Sequence, residues 1–239
     1  MLFNIYQVNT DHSEEASRRL FTGFDRIGGQ VDATMYKKVY VGDHPELKTL
    51  EDIFQRFNLG RVPTLQGHSL SVSDVVEVLE DTDKVSKGCY FCDSIGWRVV
   101  TPDFQSDKAA PMTGLRTVYV RPGCRPVETC VWEKLRFLQD AVSDRGEDSL
   151  IEVSYPFDDI DVILVGNEEA KLNGMKGNRR IAGGIYAGPF FLLRSSEDGE
   201  NFAGLTDEDV VKYTTLLQQP EDISDDEVQA DCGFTIFGF

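Results

Sequence analysis

Asn167-Glu168-Glu169-Ala170-Lys171-Leu172-Asn173-Gly174-Met175-Lys176-Gly177-Asn178-Arg179-Arg180 is a polar word set between two strongly apolar runs, residues 160–165 and 185–193. Short apolar runs bounded by turn-forming residues read as buried strands. A plain connection between two strands takes about two to five residues, and this one is much longer. It combines a carboxylate pair, several amides and adjacent arginines. Long polar connections on a rigid scaffold are where binding and catalytic groups concentrate.

Working outward, Thr206 with Asp209 caps a helix that carries Val210, Tyr213, Thr214 and Leu217. Residues 219–231 are acidic and poor in apolar side chains, the composition of a mobile tail. The apolar end, residues 232–239, is expected to pack back onto the body or to pair as a terminal strand. Upstream, residues 150–155 and 117–120 read as strands. Val131, Leu135, Leu138 and Val142 form one face of a helix between them. Residues 101–114, with Pro102, Asp103, Ser106, Asp107, Pro111 and Gly114, have little periodicity and read as a linker.

The first hundred residues repeat the mixture. Residues 2–8 alternate as a half-buried strand. Asp11 and Glu14 have capping-box spacing, with Ala16, Leu20, Phe24 and Ile27 behind them until Gly28-Gly29. Residues 33–41 suggest a second strand, and Thr49 with Asp52 opens a helix with Leu50, Ile53, Phe54 and Phe57. Residues 89–92 and 97–100 resemble a hairpin. The expectation is therefore α+β: two small mixed domains, 1–101 and 116–218, joined by a linker at 102–115 and followed by a tail at 219–239. Strands and long helices do not alternate regularly, so a doubly wound sheet is not expected.

The net charge is −17. Residues 1–115 carry 12 basic and 17 acidic side chains, a balance of −5, whereas residues 116–239 carry 12 and 24, a balance of −12. From Glu197 to Asp231 there are 12 acidic residues against Lys212 alone, a balance of −11. Direct nucleic-acid binding needs clustered cations, so it is not expected. An acidic stripe fits a basic protein surface, or is plain solvation of an exposed segment. No run approaches the roughly 18 apolar residues of a membrane helix. Met1-Leu2-Phe3-Asn4 does not open a secretory signal. Five scattered cysteines suit a reducing cytoplasm better than a disulfide framework.

The candidate chemistry is sparse. Cys89 and Cys92 lack the second ligand pair of a structural zinc site, and on a strand they point to opposite faces. His12, His44 and His68 are scattered. Gly67-His68-Ser69-Leu70-Ser71-Val72-Ser73-Asp74 gathers His, Ser and Asp, yet hydrolytic triads assemble from distant segments, and these serines suit turns and caps. Asp158, Asp159, Asp161, Glu168 and Glu169 form a carboxylate group of the kind metal-dependent phosphoesterases use, although aspartates after Pro156 are also ordinary turn residues. No phosphate or dinucleotide fingerprint is present. Asn178-Arg179-Arg180 is the basic patch of the acidic half. It suits either an internal ion pair with Glu168 or Glu169 or recognition of an anion.

Two resemblances cover most of the chain. Ile5-Tyr6-Gln7-Val8, the stretch from Gly67 through Val76 and Tyr90-Phe91-Cys92-Asp93-Ser94-Ile95-Gly96-Trp97 resemble the YodL family. Val120-Arg121-Pro122-Gly123, Tyr155-Pro156-Phe157-Asp158-Asp159, the word from Asn167 with Asn178-Arg179, and Ala187-Gly188-Pro189-Phe190-Phe191 resemble the domain of unknown function 3846. In that family's pattern glycine is expected where this chain has Ala170. The resemblance implies cargo of mobile genetic elements and phages of Firmicutes, alongside antirestriction proteins, and transfers no catalytic set.

The functional expectation is a cytoplasmic counter-defence protein, of the anti-CRISPR or antirestriction kind. It would bind a host defence protein through an acidic surface, without catalysis, metal or cofactor. The residues expected to meet the partner are Asp158, Asp159, Glu168, Glu169, Lys171, Asn178 and Arg179 around the polar word, and Glu221, Asp222, Asp225, Asp226 and Glu227 in the tail. The alternatives are a metal- or nucleotide-dependent enzyme or ligand-binding module using the Asp158 and Glu168 region, and a structural adaptor.

Overall fold

Strand β1 (Leu2–Val8) is buried along nearly its whole length. Phe3 and Ile5 join one hydrophobic cluster and Tyr6 and Val8 another, so the alternation that suggested a half-buried strand serves a sheet covered on both faces. In the computed structural model, residues 1–143, 149–196 and 201–232 are described, and the chain divides into two units, Met1–Met112 and Thr113–Phe239. The two-domain α+β expectation is met.

In the first unit β1 lies inside an antiparallel sheet with β2 (Tyr36–Asp43), β3 (Val75–Val78), β4 (Gly88–Cys92) and β5 (Trp97–Val99), in the order β2-β1-β3-β4-β5. Helix α1 (Glu14–Arg19) and helix α2 (Leu50–Leu59) complete it. Thr49 and Asp52 cap α2 reciprocally, and its Leu50, Ile53 and Phe57 cover the Phe3 face. Ala16 of α1, with Leu20 and Phe24, covers the Tyr6 face. Two sequence readings are corrected here. The cap of α1 is Ser13, which accepts a hydrogen bond from the Ala16 amide, and the helix stops at Arg19 because Phe21 turns left-handed (φ 57°). Residues 33–35 form a 3₁₀ turn ahead of β2.

The expected linker is also corrected, because most of it is folded into the first unit. Phe104 is buried edge-on against Tyr6 and Tyr36, at centroid distances of 5.2 and 5.4 Å. Ser106 Oγ donates to Glu77 at 2.7 Å. The Ala110 carbonyl accepts from Lys38 N at 2.8 Å, and Ala110 N donates to Tyr36 O at 2.9 Å. One aromatic anchor and paired backbone groups thus order a segment whose composition reads as loop, and the change of unit falls at Met112 and Thr113.

The second unit is built on β6 (Leu115–Val120), β7 (Val127–Val131), β8 (Ile151–Ser154), β9 (Val162–Asn167), β12 (Phe190–Ser195) and β13 (Phe202–Ala203). Their order is β7-β6-β12-β9-β8, with β13 added beside β12. Helix α4 (Asp207–Leu216) lays Val210 and Tyr213 over Val118, Leu164 and Leu192. Helix α3 (Leu135–Ala141) meets the sheet through Tyr119, whose hydroxyl donates to Ala141 O at 2.7 Å. Val131, read as part of that helix, closes β7 instead. The apolar run 185–193 is two strands, because Gly188 takes a left-handed turn (φ 70°) before Pro189. Its first half is β11 (Gly184–Ala187), which pairs with β10 (Gly177–Ile181) as a separate hairpin.

The acidic segment after α4 is corrected from mobile tail to helix over its described part. Helix α5 (Asp225–Asp231) has a reciprocal cap between Ser224 and Glu227. Ile223 before the cap and Val228 in the first turn are both buried against Ala170, Met175 and Ala187, a hydrophobic staple. Gly177 lets them in: a β-carbon there would stand 2.6 Å from Ile223 Cβ. The apolar end that was expected to pack back, residues 233–239, lies outside the described residues, as do residues 197–200 of the acidic stretch.

Candidate functional site: a cleft beside the polar loop

The first half of the polar word folds on itself. Asn167 Oδ1 accepts from Glu169 N at 2.8 Å, and Met175 N donates to Ala170 O at 2.9 Å. Ala170 and Met175 are buried, which leaves Glu168 and Glu169 facing outward. The second half is strand β10 and is structural, which corrects the assignment of Asn178 and Arg179 to a partner surface. Both are buried. Asn178 Nδ2 donates to Val120 O (3.1 Å) and Gly188 O (2.7 Å) and so ties the hairpin to the sheet. The Arg179 guanidinium donates to Leu217 O (3.0 and 3.1 Å), Cys124 O (2.8 Å) and Asn178 O (2.9 Å). Burial pushes Arg179 down from its ordinary value, while the Glu221 charge opposes that shift.

The expected pairing of the arginines with Glu168 or Glu169 is not formed. Arg180 instead pairs with Glu221 (2.7 Å) and Glu227 (2.5 Å), so one carboxylate ahead of α5 and one on it hold this segment to β10. Lys171 pairs with Asp231 at 2.5 Å. The hydrogen bond from Lys171, with another from Ile185 N (3.0 Å), holds the Asp231 carboxyl below its usual range. Asp159 and Asp161 lie around Arg194, at 3.2 and 3.8 Å. Arg194 also grips Asp209 at 2.6 Å, and this bond first, with the Thr206 cap, lowers Asp209 to about 2. A guanidinium thus holds the centre of that carboxylate group. Among the described residues no three or more His, Cys, Asp or Glu side chains are placed to hold a metal ion.

Once these pairs are subtracted, Asp158, Glu168, Glu169, Asp222, Asp225 and Asp226 remain exposed. The last two sit in the first turn of α5, where the helix dipole favours anions.

Beside the loop lies a cleft of about 620 Å³. Leu164, Gly166 and Phe190 of β9 and β12 and Ile181, Ile185 and Tyr186 of the hairpin line it, with Leu164 and Phe190 buried beneath and Tyr186 packed against Phe190 at a centroid distance of 6.0 Å. Glu152, Glu168, Lys171 and Asp231 stand around it. Tyr186 and Ser154 join their hydroxyls across it at 3.1 Å. Sequence reasoning placed Glu168 and Lys171 here but missed Glu152, Gly166 and Tyr186. Gly166 reads as a lone glycine between an apolar run and the polar word, Tyr186 lies in a run read as one buried strand, and the separation of β11 from β12 opens the space.

Two family models match the chain: a YodL-like domain over residues 2–104 and a domain of unknown function (DUF3846) over residues 115–218. The chain joins a YodL-like domain to a DUF3846 domain. Neither a curated protein nor a solved structure matches it. The DUF3846 match ends at residue 218, so α5, which closes the polar loop, lies beyond it. Ala170, where the family pattern led us to expect glycine, has no left-handed backbone and fills a buried contact, so no glycine-only shape is required there.

In the YodL-like domain the His-Ser-Asp stretch forms a buried polar knot. Asp74 accepts from Gln7 Nε2 (3.0 Å) and Ser71 N (2.8 Å), and the His68 ring lies 3.9 Å away. Ser73, left-handed at φ 84°, accepts from Phe21 N through its hydroxyl at 3.0 Å. Burial pushes Asp74 up to about 8. Cys89 and Cys92 are buried in β4, and burial raises their thiols to about 11 and 12, away from the thiolate that nucleophilic chemistry needs. No helix among the described residues is long and apolar enough to cross a membrane.

Proposed function

We propose that the chain is a cytoplasmic counter-defence protein encoded by a mobile element or phage. It binds a host defence protein of the CRISPR or restriction type and blocks it without catalysis. The observation that carries this reading is the division of the acidic residues in the DUF3846 half. Glu221, Glu227 and Asp231 are spent on Arg180 and Lys171, whereas Asp222, Asp225 and Asp226 are exposed and have no ion-pair partner among the described residues. Asp225 and Asp226 stand in the first turn of a helix that is capped and stapled in place, and Asp222 lies just before the buried Ile223 of that staple, so the charge is presented rather than trailing.

A fixed acidic face matches a basic surface that otherwise holds nucleic acid. Complementary charge speeds encounter and orients the complex. Asp158, Glu168 and Glu169 extend the negative potential across the loop. Asn178 and Arg179 act beneath it as supports.

The test is plasmid transformation or phage plating in hosts carrying a CRISPR or restriction system, with and without the full chain. Expression should relieve interference in a host whose defence protein is basic, and the triple variant Asp222→Lys, Asp225→Lys, Asp226→Lys should not. A panel of such hosts in which expression changes nothing would sink the reading. The second reading, a ligand-binding module, draws on the cleft, whose volume lies within the roughly 300–1,000 Å³ of small-molecule sites. A nucleotide and metal thermal-shift screen separates the two, since a specific ligand raises the melting temperature.

A further inference from the structure

The turn between β9 and β10 contains Asn173-Gly174, the one place in the chain where glycine follows asparagine. Both residues are exposed. The Asn173 side-chain amide has no hydrogen-bond partner among the described residues. A β-carbon on Gly174 would meet nothing within 4 Å, so the space around its nitrogen is open.

The asparagines elsewhere are placed differently. Asn4 donates to Tyr6 and Glu77 at 3.3 and 2.7 Å, and Asn58 donates to two carbonyls at 2.8 and 2.9 Å. Asn167 accepts from Glu169 N at 2.8 Å, and Asn178 is buried with both of its amide protons donated. Asn9 and Asn201 precede Thr10 and Phe202, so each has a side chain on the residue that follows.

An unheld asparagine amide next to glycine permits one reaction. The Gly174 nitrogen, once hydroxide has taken its proton, attacks Asn173 Cγ. The new C–N bond closes a five-membered succinimide, and ammonia leaves. Water then adds to either ring carbonyl and opens the ring to aspartate or isoaspartate. A side chain on the attacking residue crowds this closure and narrows the backbone angles it can sample, and glycine does neither. The restraint on the nitrogen is its bond to Lys171 O at 3.2 Å, the long end of the usual range.

We propose that Asn173 is a site of spontaneous deamidation in the folded protein, adding a negative charge to the loop that carries Glu168 and Glu169. The isoaspartate product also lengthens the main chain by a methylene. The bond from Met175 N to Ala170 O, 2.9 Å, closes the turn across this pair, and Met175 packs with Ile223 and Val228. Lengthening the turn therefore loosens the seat of α5. The reaction needs only this chain and water, so it is independent of the proposed function.

The experiment incubates the full chain at mildly alkaline pH. Peptide-mapping mass spectrometry follows each asparagine, and enzymatic methylation counts isoaspartate. Asn173 should convert about tenfold or more faster than every other asparagine, with both products formed and a rate that rises with pH as hydroxide does. Asn173→Gln, an exposed change harmless to folding, should abolish the reaction, because glutamine must close a larger and slower ring. The isoaspartate fraction should be cut by protease between residues 218 and 225 faster than the unreacted chain. A parallel sample unfolded in urea separates sequence from structure. If Asn173 converts there but stays intact in the folded chain, or if another asparagine of the folded chain converts first, the assignment of the site is overturned. Unchanged protection of the isoaspartate fraction would overturn its effect on α5.

Discussion

Replacing Arg179 should unfold the DUF3846 half rather than merely silence it. Arg179 is 2% exposed and donates to the carbonyls of Leu217, Cys124 and Asn178. With alanine, Leu217 O and Cys124 O lose these donors in a place water does not reach. Each orphaned buried carbonyl costs about 1–3 kcal/mol, and the hole left by the side chain adds to that. Against this, the variant no longer buries a cation, and the depressed pKa of Arg179 shows that its burial is unfavourable in itself. The balance is a loss of roughly 3–5 kcal/mol. At about 4 °C per kcal/mol for a unit of this size, the melting temperature of that half falls by roughly 10–20 °C. Arg179→Met separates the causes: it keeps the stem but not the donors, so it should lose nearly as much. Arg180→Ala, which breaks only exposed ion pairs, should stay within about 1 kcal/mol. Urea unfolding followed by circular dichroism reads all three. If Arg179→Met matches the wild type in midpoint and slope, the carbonyls do not need the guanidinium and the structural role assigned to Arg179 is wrong.

Three further outcomes follow from the same contacts. Gly177→Ala puts a β-carbon 2.6 Å from Ile223 and should lift α5, so limited proteolysis should cut between residues 218 and 225 much faster than in the wild type; unchanged protection would mean that the staple does not hold the helix. Asp74→Asn should change how stability depends on pH. The folded carboxyl titrates near 8 and the unfolded one near 4, so the native state keeps its proton longer and wild-type stability declines as pH rises between those values. The variant should lack that decline and exceed the wild type by an amount on the order of 2–5 kcal/mol at pH 8, and parallel curves would refute the assignment. Finally, Cys232 is partly exposed while Cys89 and Cys92 are buried, so an alkylating reagent should modify Cys232 well before either strand cysteine.

Local signals in the sequence carried most of the fold. The capping boxes at Thr49 with Asp52 and Thr206 with Asp209 start helices where their spacing says they should. The hairpin of β4 and β5 turns at residues 93–96 through Asp93 N to Gly96 O. What composition obscured was tertiary. Residues 101–110 read as a linker because Phe104, their one anchoring aromatic, carries no periodic pattern. The last helix was legible and overlooked: Ser224 to Glu227 has capping-box spacing, and Ile223 with Val228 is its staple. Five acids around them outweighed those two apolar residues in a reading by composition.

For the site, Glu168 and Lys171 were legible as part of a long polar word. The opposite fates of adjacent arginines were not. Arg179 and Arg180 have the same charge and neighbourhood in sequence, and alternation along β10 sends one into the core and the other to α5. Register likewise brings Glu152 to Glu168 across fifteen intervening residues, which no spacing along the chain announces.

The central claim is that fixed outward acids drive association with a basic defence protein. The most direct measurement is the association rate of the full chain with the defence protein whose interference it relieves, followed as salt is raised past the point where screening acts over about 8 Å. The account predicts a rate that falls steeply with salt, and a slow, nearly salt-independent rate once Asp222, Asp225 and Asp226 are changed to lysine. A rate indifferent to both salt and the reversals would contradict it and reduce these acids to solvation.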